Sequence, residues 1–237
     1  MEKKDKKAVG EFLEKYGTAL AVLIGALVIG AALVFGKGGS TGQFVPNQPA
    51  AAVDVDIKDV KTEGNPYIGS KNAPVTIALW FDYQCPFCKQ LELGAINDIN
   101  NAYVKDGKVR IVFKDFQFLG EDSDTAAVYA RAVWEAYPDR WYEWYRAMAE
   151  HQDEEHGGFG DSATITAMTK ELGLDTDRIA KLIADKGEEY KAAIAADRTE
   201  GSSFGINGTP GTIIGKTSLS GAQPFSAFKP LIDAELK

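Results

Sequence analysis

Apolar and polar positions change period along this chain, and the changes divide it into elements. The stretch 75–81 (VTIALWF) is apolar at nearly every position, which is typical of a strand buried on both faces. A helical pattern starts at Pro86, with its apolar positions at Leu91, Ala95, Ile99 and Ala102. Residues 109–113 (VRIVF) predict the next strand. This order predicts a right-handed crossover between two parallel strands.

A long helical block follows, at about residues 122–205. Its pattern predicts several helices, including one around Ile179 and a separate one from Glu188 to about Gly201. Aromatic stripes in this block favour core packing over a ligand-binding face. After it come two short predicted strands, 212–215 and 217–219, and a closing helix from Phe225 to Leu236. Two β-rich segments therefore flank a helical insertion.

The N-terminal region is unlike the rest of the chain. Residues 16–36 carry no charge, and about 20 apolar residues are needed to span a bilayer. Five lysines precede this segment, which predicts a cytoplasmic N-terminus at 1–15 and a location outside the cytoplasm for the residues after the segment. We expect an uncleaved signal anchor at 16–36, a flexible Gly- and Pro-containing linker at 37–52 and a globular domain at 53–237. A cleaved signal peptide or a buried soluble helix are the alternatives.

The only two cysteines, Cys85 and Cys88, lie where the predicted strand 75–81 passes into the helix. Pro86 suits the first helical position, where a missing N–H costs nothing. The cysteines are then one turn apart and can form a disulfide. Cys85 would cap the helix N-terminus, where N–H groups and the helix dipole stabilise a thiolate. We expect Cys88 to be more covered, so that Cys85 attacks and Cys88 resolves the mixed disulfide.

Two other roles for the cysteines are open at this stage. A structural disulfide is one, although so short a loop constrains the unfolded chain only weakly. A zinc site is the other, because His151 and His156, the only histidines, could complete a Cys2His2 set. A Cys-x-x-Cys pair after a strand in a strand–helix–strand unit favours redox chemistry over both.

The motifs WFDYQCPFC at 80–88 and GINGTPGTIIG at 205–215 together resemble thiol:disulfide oxidoreductases of the DsbA-like branch of the thioredoxin superfamily, which includes membrane-anchored BdbD-type proteins. The resemblance runs from about Val53 to the C-terminus. It implies an α/β thioredoxin fold with a DsbA-like helical insertion, preceded here by a single transmembrane helix. It also implies that Cys85 and Cys88 are the redox pair, and that no cofactor or metal is needed beyond their disulfide.

The resemblance assigns further residues. Thr209 and Pro210 match the family's Xaa–cis-Pro loop, which lies against the disulfide and pairs with an extended substrate segment. Pro86 and Phe87, between the cysteines, would tune the potential and contact substrate. The better-known oxidants carry histidine where this chain has Phe87, so one polar stabiliser of the thiolate is missing. Asp82 is either a proton shuttle or a solvated carboxylate at the strand end.

The sequence thus predicts a disulfide-forming oxidase acting on reduced or unfolded exported proteins outside the cytoplasm. A membrane redox partner would reoxidise or reduce the site, and lipid would hold the anchor. The net charge of −8 provides no basic surface for nucleic acid. A reductase or isomerase using the same site, or a non-catalytic thioredoxin-like chaperone, are the alternatives.

Overall fold

A computed structural model of the chain describes residues 55–154 and 157–237. The predicted anchor at 16–36 and linker at 37–52 lie outside the described residues, as does His156. Among the helices of the described part, none is both long enough and apolar enough to cross a membrane.

A five-stranded sheet forms the centre of the fold, in the order β1-β3-β2-β4-β5. The strands are β1 (Tyr67–Ile68), β2 (Val75–Phe81), β3 (Val109–Asp115), β4 (Gly211–Ile214) and β5 (Thr217–Ser220). The predicted pairing of β2 with β3 is parallel, and every other pair is antiparallel. The apolar run of β2 is buried because helices cover both faces of the sheet. The two-residue strand β1 has no clear sequence pattern and was not predicted.

Helix α1 follows β2 and occupies residues 86–104. It starts as an α-helix at Pro86–Leu91 and widens into π-helical turns at Glu92–Ile96 and Asn100–Val104. Apolar spacing does not reveal such turns, because they shift the buried face by only part of a turn. The later helices are α2 (Glu121–Ala136), α3 (Trp141–His151), α4 (Ser162–Glu171), α5 (Thr176–Ser203) and α6 (Phe225–Glu235).

The insertion between β3 and β4 contains α2 to α5. The prediction of separate helices around Ile179 and from Glu188 is wrong, because α5 is a single helix of 28 residues. Gly187 lies inside it, and an added Cβ there would meet no other atom. Glycine in a helix costs about 1 kcal/mol relative to alanine, which the packing of α5 on α2 outweighs. Trp141, Trp144 and Tyr145 of α3 are buried, which confirms core packing.

A buried ionic cluster joins β3 to α2 and α5. The Lys114 ammonium lies 2.5 Å from the Asp197 carboxylate and 2.9 Å from that of Glu200. Arg131 of α2 bridges Asp115 and Asp197 at 2.6 and 2.5 Å. Removing one partner of such a pair leaves a buried uncompensated charge, at a cost of about 3–5 kcal/mol. The cluster therefore fixes the insertion against the sheet.

Candidate active site

The strand β2 delivers the two cysteines to the start of α1. Cys85 is the N-cap, with an extended backbone at φ −78° and ψ 118°, and Pro86 is the first helical residue, as predicted. The backbone N–H of Cys88 donates to the carbonyl of Cys85 at 3.0 Å, so the two residues share one turn. Both are free thiols in this structure.

The two cysteines are almost equally buried, with 4% of Cys85 and 5% of Cys88 exposed. The Cys88 thiol itself lies deeper than the Cys85 thiol, which agrees with the prediction that Cys88 would be the more covered of the two. Cys85 is covered by the loop before β4, because its thiol donates to the backbone carbonyl of Thr209 at 3.4 Å. This contact covers a helix N-terminus that the local sequence alone would leave open.

The two thiols also differ in pKa. A hydrogen bond with the Cys88 thiol is the main cause that lowers the pKa of Cys85 to about 6; burial opposes it, and Thr209 and the N–H groups of Phe87 and Cys88 add to it. Burial raises the pKa of Cys88 well above its ordinary value, and the neighbouring Cys85 raises it further. At neutral pH this arrangement provides one thiolate and one thiol on adjacent positions of a turn.

The Thr209–Pro210 peptide bond is cis, as the resemblance implied. Pro210 is buried and directly precedes β4. The Thr209 hydroxyl oxygen is buried and has no hydrogen-bond partner in the part of the chain that the structure describes. It lies near enough to the Cys85 sulfur to help lower the pKa of that thiol. The fold thus brings together residues from two distant parts of the domain: Cys85, Cys88, Thr209 and Pro210.

Asp82 is neither a solvated carboxylate nor directed at the thiols. Its side chain is 1% exposed and accepts hydrogen bonds from the N–H groups of Gln84, Phe118 and Leu119 at 2.8, 2.9 and 3.2 Å. The Ser123 hydroxyl donates to it at 2.5 Å. Because these donors come from the turn before Cys85, the loop after β3 and the start of α2, the contacts favour a structural role over proton transfer.

Exposed apolar side chains occur between the cysteines and in the loop after β3. Phe87 is 59% exposed and Phe118 is 46% exposed, and they are two of the three large hydrophobic side chains that are exposed in the described residues. Pro86 is also exposed.

Two buried polar residues near Cys88 were missed by the sequence reasoning. Glu92 lies one turn after Cys88 and is 1% exposed; the Tyr142 hydroxyl donates to it at 2.7 Å, and burial raises its pKa to about 7. Glu92 lies beside Leu91 and Ala95 on the apolar face of the helix, and this position could have indicated its burial. Gln152, 5% exposed at the end of α3, had no such signal.

A zinc site gains no support from the histidines. The His151 ring nitrogen Nδ1 lies 2.9 Å from the carbonyl oxygen of Ala147, within its own helix. In residues 55–154 and 157–237, no group of three or more His, Cys, Asp or Glu side chains is placed to hold a metal ion.

Comparison with known proteins agrees with this geometry. The family model described as thioredoxin matches residues 61–234, which is most of the chain. The chain belongs to the thioredoxin family. The match includes both cysteines and the Thr209–Pro210 loop, so it covers every residue of the site described above.

Within the thioredoxin family, the chain is similar to disulfide-forming and disulfide-exchanging proteins. It is 25% identical to a probable disulfide bond formation protein D of Bacillus cereus, over 76% of this chain and 87% of the other. Oxidised BdbD from Bacillus subtilis has the same fold, with a TM-score of 0.70 at 22% identity over 78% of this chain and 98% of that one. The thiol-disulfide exchange protein alpha-DsbA2 from Wolbachia pipientis has a TM-score of 0.64 at 28% identity, over 72% and 86% of the two chains.

Proposed function

We propose that this protein is a thiol-disulfide oxidoreductase that forms disulfide bonds in exported proteins, with Cys85 as the reactive sulfur and Cys88 as the resolving one. The observation that carries the proposal is the pKa difference between two thiols on one helical turn. A structural pair has no need of a thiolate with a pKa of about 6 beside a thiol whose pKa is raised.

The reaction has two steps. A substrate thiolate attacks the Cys85 sulfur of the enzyme disulfide, the Cys85–Cys88 bond breaks, and the Cys88 sulfur leaves with the electron pair and takes up a proton. A second substrate thiolate then attacks the substrate sulfur of the mixed disulfide and releases the Cys85 thiolate. The substrate loses two electrons and the enzyme dithiol gains them, with no group required beyond the cysteine pair.

The oxidising direction follows from the stability of the reduced form. A thiolate at neutral pH is a good leaving group, and stabilising it makes the dithiol form more favourable and the disulfide more oxidising. Phe87 supplies no charge between the cysteines. The stabilisation comes instead from the Cys88 thiol, Thr209 and the N–H groups at the start of α1.

The location is part of the proposal. Similarity to disulfide bond formation protein D supports a catalytic domain outside the cytoplasm. We assign residues 16–36 as a membrane anchor and 37–52 as its linker, on the apolar and charge pattern of the sequence. A membrane redox partner would then return the dithiol to the disulfide. A reporter fused after Lys237 should be active outside the cytoplasm and should stay with the membrane fraction; a soluble mature form starting near Gly38 would refute the anchor.

The catalytic proposal is tested with purified protein. The oxidised protein is mixed with a reduced, unfolded secreted protein, and loss of substrate thiols is followed together with the redox state of Cys85. We expect one substrate disulfide per enzyme disulfide consumed, and an equilibrium with glutathione that favours the reduced enzyme. If the cysteines do not exchange with glutathione at all, the chain is a binding module and not an enzyme.

A further inference from the structure

A small cavity borders Cys88 on the side that faces the insertion. Its wall includes Cys88 and Lys89 from α1 together with Tyr145 and Gln152 from the α3 region. The volume of this cavity that the centre of a water-sized sphere can occupy is about 10 Å³. A buried water needs roughly 10–15 Å³ by this measure and two to four polar partners. The space is just large enough for one water molecule beside the resolving thiol, and its lining is mostly apolar, so a water there depends on the few polar groups that reach it.

Gln152 supplies a polar group to this cavity. The residue is 5% exposed, and its Nε2 has no hydrogen-bond partner among residues 55–154 and 157–237. Its backbone is held on both sides, because its N–H donates to the carbonyl of Met148 at 3.0 Å and its carbonyl accepts from the Lys89 ammonium at 2.5 Å. A buried donor without a partner destabilises the folded protein, and a bound water would satisfy it.

The chemistry of Cys88 requires a proton path. When substrate opens the disulfide, the Cys88 sulfur must gain a proton; when Cys88 closes it again, the proton must leave. Cys88 is buried, and the Asp82 carboxylate is fully occupied by other donors. Glu92 is engaged with Tyr142, and none of its atoms lines the cavity. Tyr145 also lines the cavity close to Cys88, but burial raises the pKa of its hydroxyl well above the ordinary value, so it does not accept the proton by ionising. A water molecule in the cavity is a group that could carry the proton between Cys88 and solvent.

We propose that the cavity binds one water molecule, positioned by Gln152, that carries the proton to and from the Cys88 sulfur. The inference rests on the proposed function and adds a positioning residue to it. In the closing step, Cys88–SH gives its proton through the water to solvent on the Lys89 side. The Cys88 electron pair forms the bond to Cys85, and the bond from Cys85 to the partner sulfur breaks, so that the partner leaves as a thiolate.

A two-phase reaction with an aromatic disulfide, 5,5′-dithiobis(2-nitrobenzoate), separates the steps. The Cys85 thiolate of the reduced protein releases the first coloured thiolate, and closure by Cys88 releases the second. In Gln152→Met, which keeps the side-chain volume, the second phase at pH 7 should be about tenfold slower, while the first is unchanged. Positioned proton transfer contributes about 10²–10⁴-fold, and solvent retains a slower route. Gln90→Met, an exposed glutamine of α1, is the matched control and should leave both phases unchanged.

The pH profile distinguishes proton transfer from simple packing. The difference between Gln152→Met and the wild type should disappear in alkaline solution, where hydroxide removes the Cys88 proton directly. A second phase that is unaffected, or that is slowed by the same factor at every pH, would overturn the proposal. If the wild-type protein lacked a fast first phase, the proposed function itself would fail.

A measurement on the wild type alone keeps the inference testable whether or not the variant folds. A high-resolution crystal structure of the reduced protein should contain an ordered water within hydrogen-bond distance of both Cys88 Sγ and Gln152 Nε2. A well-ordered site with no water there would rule the inference out.

Discussion

The sulfur of Cys85 lies 3.4 Å from the backbone carbonyl oxygen of Thr209, although 124 residues separate them in sequence. Cys85 follows β2, and Thr209 precedes β4, the neighbouring strand in the sheet. The contact therefore joins the segments on either side of the insertion. It covers Cys85 and places the threonine hydroxyl near the sulfur. The reactivity of the site therefore depends on a residue that the Cys-x-x-Cys motif does not contain.

The first prediction concerns the division of roles between the cysteines. Cys88→Ser should accumulate mixed disulfides through Cys85, and Cys85→Ser should be inert in exchange, because only Cys85 has a lowered pKa. The rate of alkylation of the reduced wild type should follow a titration with a midpoint near pH 6. Mass mapping that finds Cys88 alkylated faster than Cys85 at neutral pH would reverse the assignment.

The second prediction concerns Thr209. Thr209→Val removes the hydroxyl from the Cys85 thiolate, so the pKa of Cys85 should rise, by about one unit for a hydrogen bond to a charged group. The protein should become a weaker oxidant in equilibrium with glutathione. Thr209→Ser should behave like the wild type. Thr212→Val, which removes another buried hydroxyl three residues further on, is the control and should leave the alkylation midpoint unchanged.

The third prediction separates the two roles considered for Asp82. Asp82→Ala leaves several buried N–H groups without an acceptor, so the free energy of unfolding should fall by about 2–4 kcal/mol. The alkylation midpoint of Cys85 should not change. Asp98→Ala, an exposed acid of α1, should alter stability by less than about 0.5 kcal/mol. A variant of unchanged stability with slow thiol exchange would restore the proton shuttle.

The fourth prediction uses Glu92 and pH. Burial raises the pKa of Glu92 from 4.5 to about 7, so the folded state favours its protonated form. The stabilising contribution is full below pH 4.5 and is lost as the pH rises through 7. Glu92→Gln is uncharged and can still accept from Tyr142. It should match the wild type in denaturant unfolding at pH 4 and be more stable at pH 8, by an amount on the order of 2–3 kcal/mol.

The opposite outcome for Glu92 has a clear meaning. Arg146 lies 3.8 Å from its carboxylate. If Glu92→Gln were less stable than the wild type at pH 8, Glu92 would be ionised and held by Arg146, and the pH dependence would come from that ion pair.

The sequence predicted the local features of the site better than its long-range ones. Pro86 and the position of Cys85 at the helix start follow from the change of period at residues 81–86, because both are determined by neighbouring residues. The burial of Cys85 does not follow from neighbouring residues, since it depends on Thr209. That partner was available only through the second motif and the resemblance that the two motifs share.

Charged residues inside the fold were the main features that the sequence did not predict. Residues 109–113 were predicted as a strand, yet β3 continues through Lys114 and Asp115, whose charges are neutralised by residues of α2 and α5. Lysine and aspartate normally end an apolar run, because burying either alone is costly. The pairing that makes their burial possible comes from Arg131 and Asp197, and periodicity contains no information about it.

The same ionic cluster limits how the protein can be redesigned. Deleting the insertion to obtain a smaller thioredoxin-like domain would remove Arg131, Asp197 and Glu200 together. Lys114 and Asp115 would remain at the end of the inner strand β3, without the oppositely charged partners that allow them to be buried. A shortened enzyme would need apolar replacements at both positions before it could fold, so the four-helix insertion is not a detachable module.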